Sequence, residues 1–142
     1  MYNSLMIEKH KLFLRAFIIL ALVGFLNYLA EVFYFHWTLW WYDIILHHLG
    51  GACAGTAFLY FYFDFFKLSK FDKIKAVKLT FLFVLFIGVA WEIYELLHHD
   101  TSLADGVYYY RDTISDLIAD SVGGFFAVIF SFKHFEKISG RI

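Results

Sequence analysis

The chain is predicted to be all-α: a polytopic membrane protein built as a bundle of four transmembrane helices. Three observations predict this. Of 142 residues, 61% are hydrophobic, well above the roughly 45–50% of soluble domains. The apolar residues fall into four runs of about 20 residues, the length that crosses a bilayer core. The basic residues collect in only three of the segments that flank those runs.

The four spans are read at about 12–35, 42–66, 76–97 and 112–132. No proline, Ser/Gly-rich linker or internal repeat divides the chain, so residues 1–142 read as one integral membrane domain. The net charge of −1 gives no basic field for nucleic acid. Cys53 is the single cysteine, which excludes an intrachain disulfide and a cysteine-built zinc site.

Span one follows Lys9, Lys11 and Arg15, as a signal peptide would. Its apolar run is too long for one, carries Asn27 and Glu31, and lacks a small-residue cleavage site, so it reads as a retained span. The connection His36-Trp37-Thr38-Leu39-Trp40-Trp41-Tyr42 follows. Trp and Tyr favour the membrane–water interface, which places it on the headgroups. Span two ends near Phe66, before a connection rich in lysine: Lys67, Lys70, Lys73, Lys75 and Lys78. Span three leads to a polar connection, His98 to Arg111, that closes with Tyr108-Tyr109-Tyr110. Span four is followed by a tail with Lys133, Lys137 and Arg141.

The N-terminus, the middle connection and the tail hold every Lys and Arg except Arg111. With four spans they share one side, so the positive-inside rule puts both termini in the cytoplasm (N-in, C-in). That orientation places the polar residues of the spans. Asn27 and Glu31, Asp43, His47 and His48, Glu92 and Glu95, and Asp112, Asp116 and Asp120 all fall in the outer half of the bilayer. The inner half has only flanking charges such as Asp64 and Arg15, which can reach the interface.

Each span aligns small and polar residues at helical spacing. Gly24, Asn27 and Glu31 form one stripe. The second span has Asp43, His47, Gly50, Gly51 and Ala54; the third has Gly88, Glu92 and Glu95. The fourth has Asp112, Asp116, Asp120, Gly123, Gly124 and Ala127, its three aspartates spread over roughly 12 Å of helix axis. Small residues let helices approach closely in lipid. The stripes are therefore expected to face one another around an outward-opening pocket.

Intramembrane ionisable residues are costly and mark sites by default. Seven carboxylates and two histidines cannot all sit ionised and unpaired in one dry pocket. Bound cations, shared protons or water must compensate them, and Arg111 is the one obvious local basic partner. A divalent metal is the most economical answer. Carboxylates with one or two imidazoles suit Zn²⁺, Mn²⁺ or Fe²⁺; carboxylates alone suit Mg²⁺ or Ca²⁺. Asp43/His47 and Asp116/Asp120 are i, i+4 pairs, and Glu92/Glu95 is an i, i+3 pair. His47, Glu92, Asp116 and Asp120 lie deepest and are read as metal ligands. Glu95 and Asp112 are read as catalytic carboxylates, with Asp43, Glu31, Asn27 and Arg111 in support. Structural explanations compete at several positions. Asp112 and Asp43 suit helix N-termini. Glu95 and Glu31 are near enough to the ends to reach water. His48 lies off the stripe, and His98 and His99 fall in or beside a connection.

Three segments resemble VanZ-like small membrane proteins and a related group of uncharacterised inner-membrane proteins. Tyr42-Asp43-Ile44-Ile45-Leu46-His47-His48-Leu49-Gly50-Gly51 is similar to their Asp-x-x-x-His-x-x-x-Gly segment. Gly88 to Glu95 resembles their glycine-then-glutamate segment, and Arg111 to Asp120 with Gly123-Gly124 their acidic last-helix segment. VanZ-like proteins often read Glu-x-x-Gln where this chain has Glu92-x-x-Glu95, and often carry Asn nearer Asp120; the extra acids lean toward the uncharacterised relatives. The resemblance implies a bacterial cell-envelope protein of the plasma (inner) membrane, in a family associated with glycopeptide tolerance, and no settled reaction.

Two classes of function follow. In the first, a divalent ion (Zn, Mn, Mg or Fe) serves a hydrolase or transferase acting on an amphiphilic lipid of the outer leaflet, such as a polyprenyl phosphate or phospholipid. In the second, the acids bind a cation or protons for transport or sensing, or only hold the bundle together. CDP-alcohol phosphotransferase, acid-phosphatase and intramembrane serine-protease signatures are missing. A haem held by His47 or His48 with His98 or His99 suits the surrounding acids poorly.

Overall fold

The computed structural model describes residues 2–65, 73–98 and 101–139. Phe66, Lys67, Lys70, His99 and Arg141, which entered the reading of the connections and tail, lie outside them, as do the side chains of Lys133 and Lys137. The described residues are helical apart from short turns. The order is α1 (Tyr2–Phe33), α2 (Phe35–Thr38), α3 (Trp40–Phe65), α4 (Lys73–His98), a 3₁₀ turn (Leu103–Asp105) and α5 (Val107–Ser139). Within them His10–Phe33, Trp40–Phe63, Lys73–His98 and Val107–Phe132 are long and apolar enough to cross a membrane.

Two boundaries differ from the sequence reading, each for a local reason. α1 stops at Phe33 because Tyr34 turns into the left-handed region (φ 58°, ψ 36°), a conformation that costs a non-glycine residue about 1–2 kcal/mol. Its carbonyl is well used there, accepting from Trp37 N at 3.2 Å, Thr38 N at 3.1 Å and Thr38 Oγ1 at 3.0 Å. The result is a one-turn α2 that redirects the chain into α3. α5 starts at Val107, five residues before the expected Asp112. Gly106, at φ +58°, ends the 3₁₀ turn that Ser102 opens by accepting from Ala104 N at 3.1 Å. Tyr108, Tyr109 and Tyr110 are therefore helical. Asp112 lies in the second turn of α5 and is not its N-cap. Asp43 does lie in the first turn of α3, where the helix dipole favours an anion.

α3 and α5 pack most extensively; α4 lies against both, and α1 packs mainly on α3. Glycine makes the α3–α5 approach possible. A Cβ at Gly51 would overlap the Asp120 backbone, and one at Gly123 would overlap the His48 carbonyl. At Gly124 an added Cβ would meet Val84 Cγ2 of α4 at 2.8 Å. Away from α2, Leu12, Leu59, Tyr62, Phe63, Ala76 and Val128 form one apolar core. Nearer α2, Ala30, Tyr42 and Leu46 join α1 to α3, and Tyr42 Oη donates to the Leu26 carbonyl at 2.9 Å.

The stripe expected on α1 is not the face it packs. Among the described side chains Leu12, Ala16 and Ala30 are its buried residues, whereas Gly24 and Glu31 are exposed, Asn27 is partly buried and no atom stands within 4 Å of a Cβ placed at Gly24. The helix uses its aliphatic face against α3.

Overpacking of a close helix contact costs about 1–3 kcal/mol, because here the obstructing atoms are backbone. Gly51→Ala is expected to lower the thermal midpoint in detergent. Gly24→Ala is expected to be neutral or to gain up to about 1 kcal/mol from helix propensity. Equal melting of the two variants would contradict this packing.

Candidate metal centre

Three helices supply the centre at the α2 end of the bundle. α3 brings Asp43 and His47 on successive turns, α4 brings Glu92 and Glu95 from its last turns, and α5 brings Asp112, Asp116 and Asp120. His47, Glu92, Asp116 and Asp120 are buried, Asp43 and Glu95 are partly buried, and Asp112 is exposed.

His47 links the helices. Its Nδ1 lies 3.4 Å from Asp120 Oδ2, and its Nε2 lies 3.9 Å from Asp43 Oδ2. Only the first distance is a hydrogen bond. In a neutral ring that bond puts the proton on Nδ1 and leaves Nε2 with a free lone pair. Nε2 is buried and has no hydrogen-bond partner. Glycine leaves room for Asp120: a Cβ at Gly88 would stand 2.5 Å from its Oδ2, while one at Gly50 would make only ordinary contact, 3.8 Å from its Oδ1.

Asp43, His47 and Asp116 each offer a ligand atom, and the three atoms lie within 4.8 Å of one another. Ligands on a tetrahedral zinc ion with bonds near 2.1 Å stand about 3.4 Å apart, a gap that side-chain rotation closes. Two carboxylates and an imidazole suit Zn²⁺, Mn²⁺ or Fe²⁺. Asp116 is only 2% exposed, and a buried carboxylate needs a counter-charge or a proton.

Other residues of the stripes stand around this group. Glu92, 5% exposed, accepts from Thr113 Oγ1 at 2.6 Å through Oε2, while its Oε1 is buried without a partner. Glu95 accepts from Trp91 Nε1 at 2.8 Å. Glu95 and Asp112 both feel the charges of Asp43 and His47. Arg111 is exposed, and its carbonyl accepts from Ser115 Oγ at 2.8 Å. Asn27 is partly buried and Glu31 exposed on α1; among the described residues neither bonds to the group. His48 packs on Phe126, 5.9 Å between ring centroids, and His98 stacks on Tyr94 at 3.9 Å, so neither joins the group.

Thr113, His36 and Trp91 act here without having stood out in the sequence. Thr113 had a signal: it precedes Asp116 by three residues and so shares its face. His36 had none, since only the turn at Tyr34 brings α2 over α3. Its Nδ1 lies 3.6 Å from Asp43 Oδ1. The neighbouring Asp43 carboxylate raises the His36 pKa; burial opposes the rise, and the charges of Glu31 and Glu95 support it.

The family described as "Predicted membrane protein (DUF2238)" matches residues 3–137. That is nearly the whole chain, and the chain belongs to this family of membrane proteins. No curated protein and no solved structure matches it.

The raised pKa of His36 sets the sign of a pH effect. Stabilisation by the His36–Asp43 pair is fully present below the ordinary histidine value of 6.5. It is lost as pH rises through the higher folded-state value. Metal-free protein should therefore melt at lower temperature as pH climbs above this point, and His36→Gln should flatten that decline. An unchanged slope in the variant would show that the pair contributes nothing.

Proposed function

We propose that the chain is a metal-dependent membrane protein whose Asp43–His47–Asp116 group binds a divalent cation. One observation carries this: the three residues each offer a ligand atom within 4.8 Å of the others, and His47 Nε2, 3.9 Å from Asp43 Oδ2, is buried and unpartnered. A buried polar atom without a hydrogen bond is rare and costly, and a cation ligated at Nε2 removes that cost.

In this reading the residues divide the work. Asp43, His47 and Asp116 hold the ion. Asp120 accepts from His47 Nδ1 and fixes the ring so that Nε2 faces the ion, as carboxylate–histidine pairs do in metal sites. Asp120 therefore orients a ligand, a different role from the direct ligation its depth first suggested. When bound, the ion polarises a phosphoryl or carbonyl oxygen and lowers the pKa of a water. Glu95 and Asp112, at the rim, are placed to exchange protons with what enters.

The basic residues of the termini and middle connection support cytoplasmic termini. The group then opens toward the outer half of the bacterial plasma membrane. A substrate there is an amphiphile with its headgroup at the interface, such as a polyprenyl phosphate or phospholipid, cleaved or transferred at a phosphoryl or acyl bond. The segments that resemble VanZ-like proteins are those carrying the ligands, which supports a cell-envelope role.

Metal content of detergent-purified protein, measured by mass spectrometry without added metal, tests the site. At least one equivalent is expected, and at least a tenfold loss in His47→Ala and Asp116→Asn with helix content unchanged. No metal in the wild type, even after dialysis against Zn²⁺, Mn²⁺ and Mg²⁺, would reject this reading in favour of a proton-sharing or structural network. Orientation is tested separately. A C-terminal fluorescent-protein fusion should fluoresce, and the equivalent alkaline phosphatase fusion should be inactive; the reverse pattern would invert the topology.

A further inference from the structure

The spans differ in what they leave exposed. Among the described residues, the exposed side chains within 42–63 of α3, 79–97 of α4 and 113–132 of α5 are all aliphatic or aromatic, the kind that lipid tails surround at no cost. α1 is the exception. It is the least buried of the four spans, and its lipid-facing side carries Gly24 and Glu31, with Asn27 half-buried at the margin. Among the described residues the Asn27 side-chain amide has no hydrogen-bond partner. None holds the Glu31 carboxylate either, although its charge reaches His36. An unbonded amide in hydrocarbon is costly, and polar groups within a span face protein or water rather than lipid.

These polar residues lie on one seam. Phe13, Phe17, Leu20, Gly24, Asn27 and Glu31 are spaced alternately four and three residues apart, the 3.5-residue repeat that two helices share when they pack along their length. All but Asn27 are exposed. The seam runs roughly 27 Å at about 1.5 Å per residue, close to the ~30 Å of a hydrocarbon core. Other helix sides hold apolar residues at this spacing. This one adds a glycine, which lets backbones approach, and an amide, which bonds across helices. Its chemistry also identifies the occupant. Asn27 offers two donors, and Glu31, one turn further on, offers acceptors. Copies in one membrane share an orientation, so a two-fold pair of α1 helices runs parallel and sets each residue beside its own counterpart. Asn27 of one copy is then one layer from the partner's Glu31, and the bond forms twice. The seam complements itself.

We propose that this face of α1 is the interface between two copies of the chain, packed as a parallel two-fold pair, with Gly24 at the close approach and the Asn27 amide of each copy bonded to the partner's Glu31. Phe13, Phe17 and Leu20 continue the contact toward the end of α1 away from α2. The pair gives α1 a task that the bundle itself does not, since α1 packs on α3 through its aliphatic face and leaves this one uncovered. The inference stands apart from the cation site.

Disulfide cross-linking of the full-length protein in native membranes tests the face. With Cys53→Ala removing the one native cysteine, Phe17→Cys and Leu20→Cys should each give an adduct of twice the chain mass. Ile18→Cys and Phe25→Cys, comparably exposed but on the opposite side of the helix, should not. Sedimentation in detergent then reads the pair without cysteines. Wild type should dimerise, and Asn27→Leu should weaken the dimer about tenfold, the order of an interhelical side-chain bond in a membrane, with helix content unchanged. Gly24→Leu should weaken it by bulk; alanine at this position is still small enough for the approach. No adduct at Phe17 or Leu20, equal cross-linking at Ile18 and Phe25, or a dimer indifferent to both Asn27→Leu and Gly24→Leu would overturn the interface. A seam adduct of any other mass would overturn the second copy as its occupant.

Discussion

The three inner helices meet at Asp120. Gly51 of α3 lies against its backbone, Gly50 of α3 and Gly88 of α4 border its two carboxylate oxygens, and His47 Nδ1 lies 3.4 Å from Oδ2. Burying an ionised carboxylate in an apolar medium is expensive unless it is paired and hydrogen-bonded. Here His47 supplies the bond, and Gly88 leaves the room for it, since a Cβ there would stand 2.5 Å from Oδ2. The close packing of α3 on α5 and the ordering of the His47 ring are thus one arrangement. Any side chain added at Gly51 or Gly88 disturbs both.

From that point the molecule divides along its length. Away from α2 the interior is apolar and closed by Leu12, Leu59, Tyr62, Phe63, Ala76 and Val128. Two buried hydroxyls there bond within their own helices: Thr56 Oγ1 donates to the Ala52 carbonyl at 2.7 Å and Thr80 Oγ1 to the Ala76 carbonyl at 2.8 Å. Toward α2 the interior is acidic, and three of its contacts run between helices: the hydrogen bonds His47 to Asp120 and Thr113 to Glu92, and the His36–Asp43 ion pair. Bonds within a helix leave its neighbours free to shift, whereas bonds across helices fix their rotation. The acidic end therefore defines how α3, α4 and α5 face each other. α1 is tied on through Tyr42 and aliphatic contacts and takes no part in that definition.

Exposure also grades the carboxylates. Asp116 and Asp120 lie at the floor, Glu92 is buried at the side, and Glu95 and Asp112 stand toward the rim. A floor of buried, oriented ligands beneath more open carboxylates suits a site that holds a cation firmly and exchanges protons with what approaches it. The aromatic residues of the rim, Trp41, Trp91 and Tyr94, are substantially exposed and supply the amphipathic surface that membrane interfaces favour.

Much of this was legible in the sequence. Composition and run length determined four long apolar helices, and helical periodicity placed Asp116 with Asp120 and Asp43 with His47 on common faces. Depth along each span singled out His47, Glu92, Asp116 and Asp120, which are the buried acids and imidazole among the described residues. What periodicity cannot supply is the rotation and height of one helix against another. The same pattern that placed Glu92 among the deep acids left open whether it meets His47 or Thr113, and tertiary packing decided for Thr113. Asp43 enters the compact group, and His36 reaches it, because Tyr34 takes a left-handed conformation that no propensity announces. Gly24 resembled the packing glycines of α3, α4 and α5 in sequence, but α1 presents its aliphatic face, so the residue is left outside. The sequence by itself determined which residues share a face on each helix. Only the tertiary structure decided which faces meet, because that depends on backbone approach at a few glycines and on two turns outside the apolar runs.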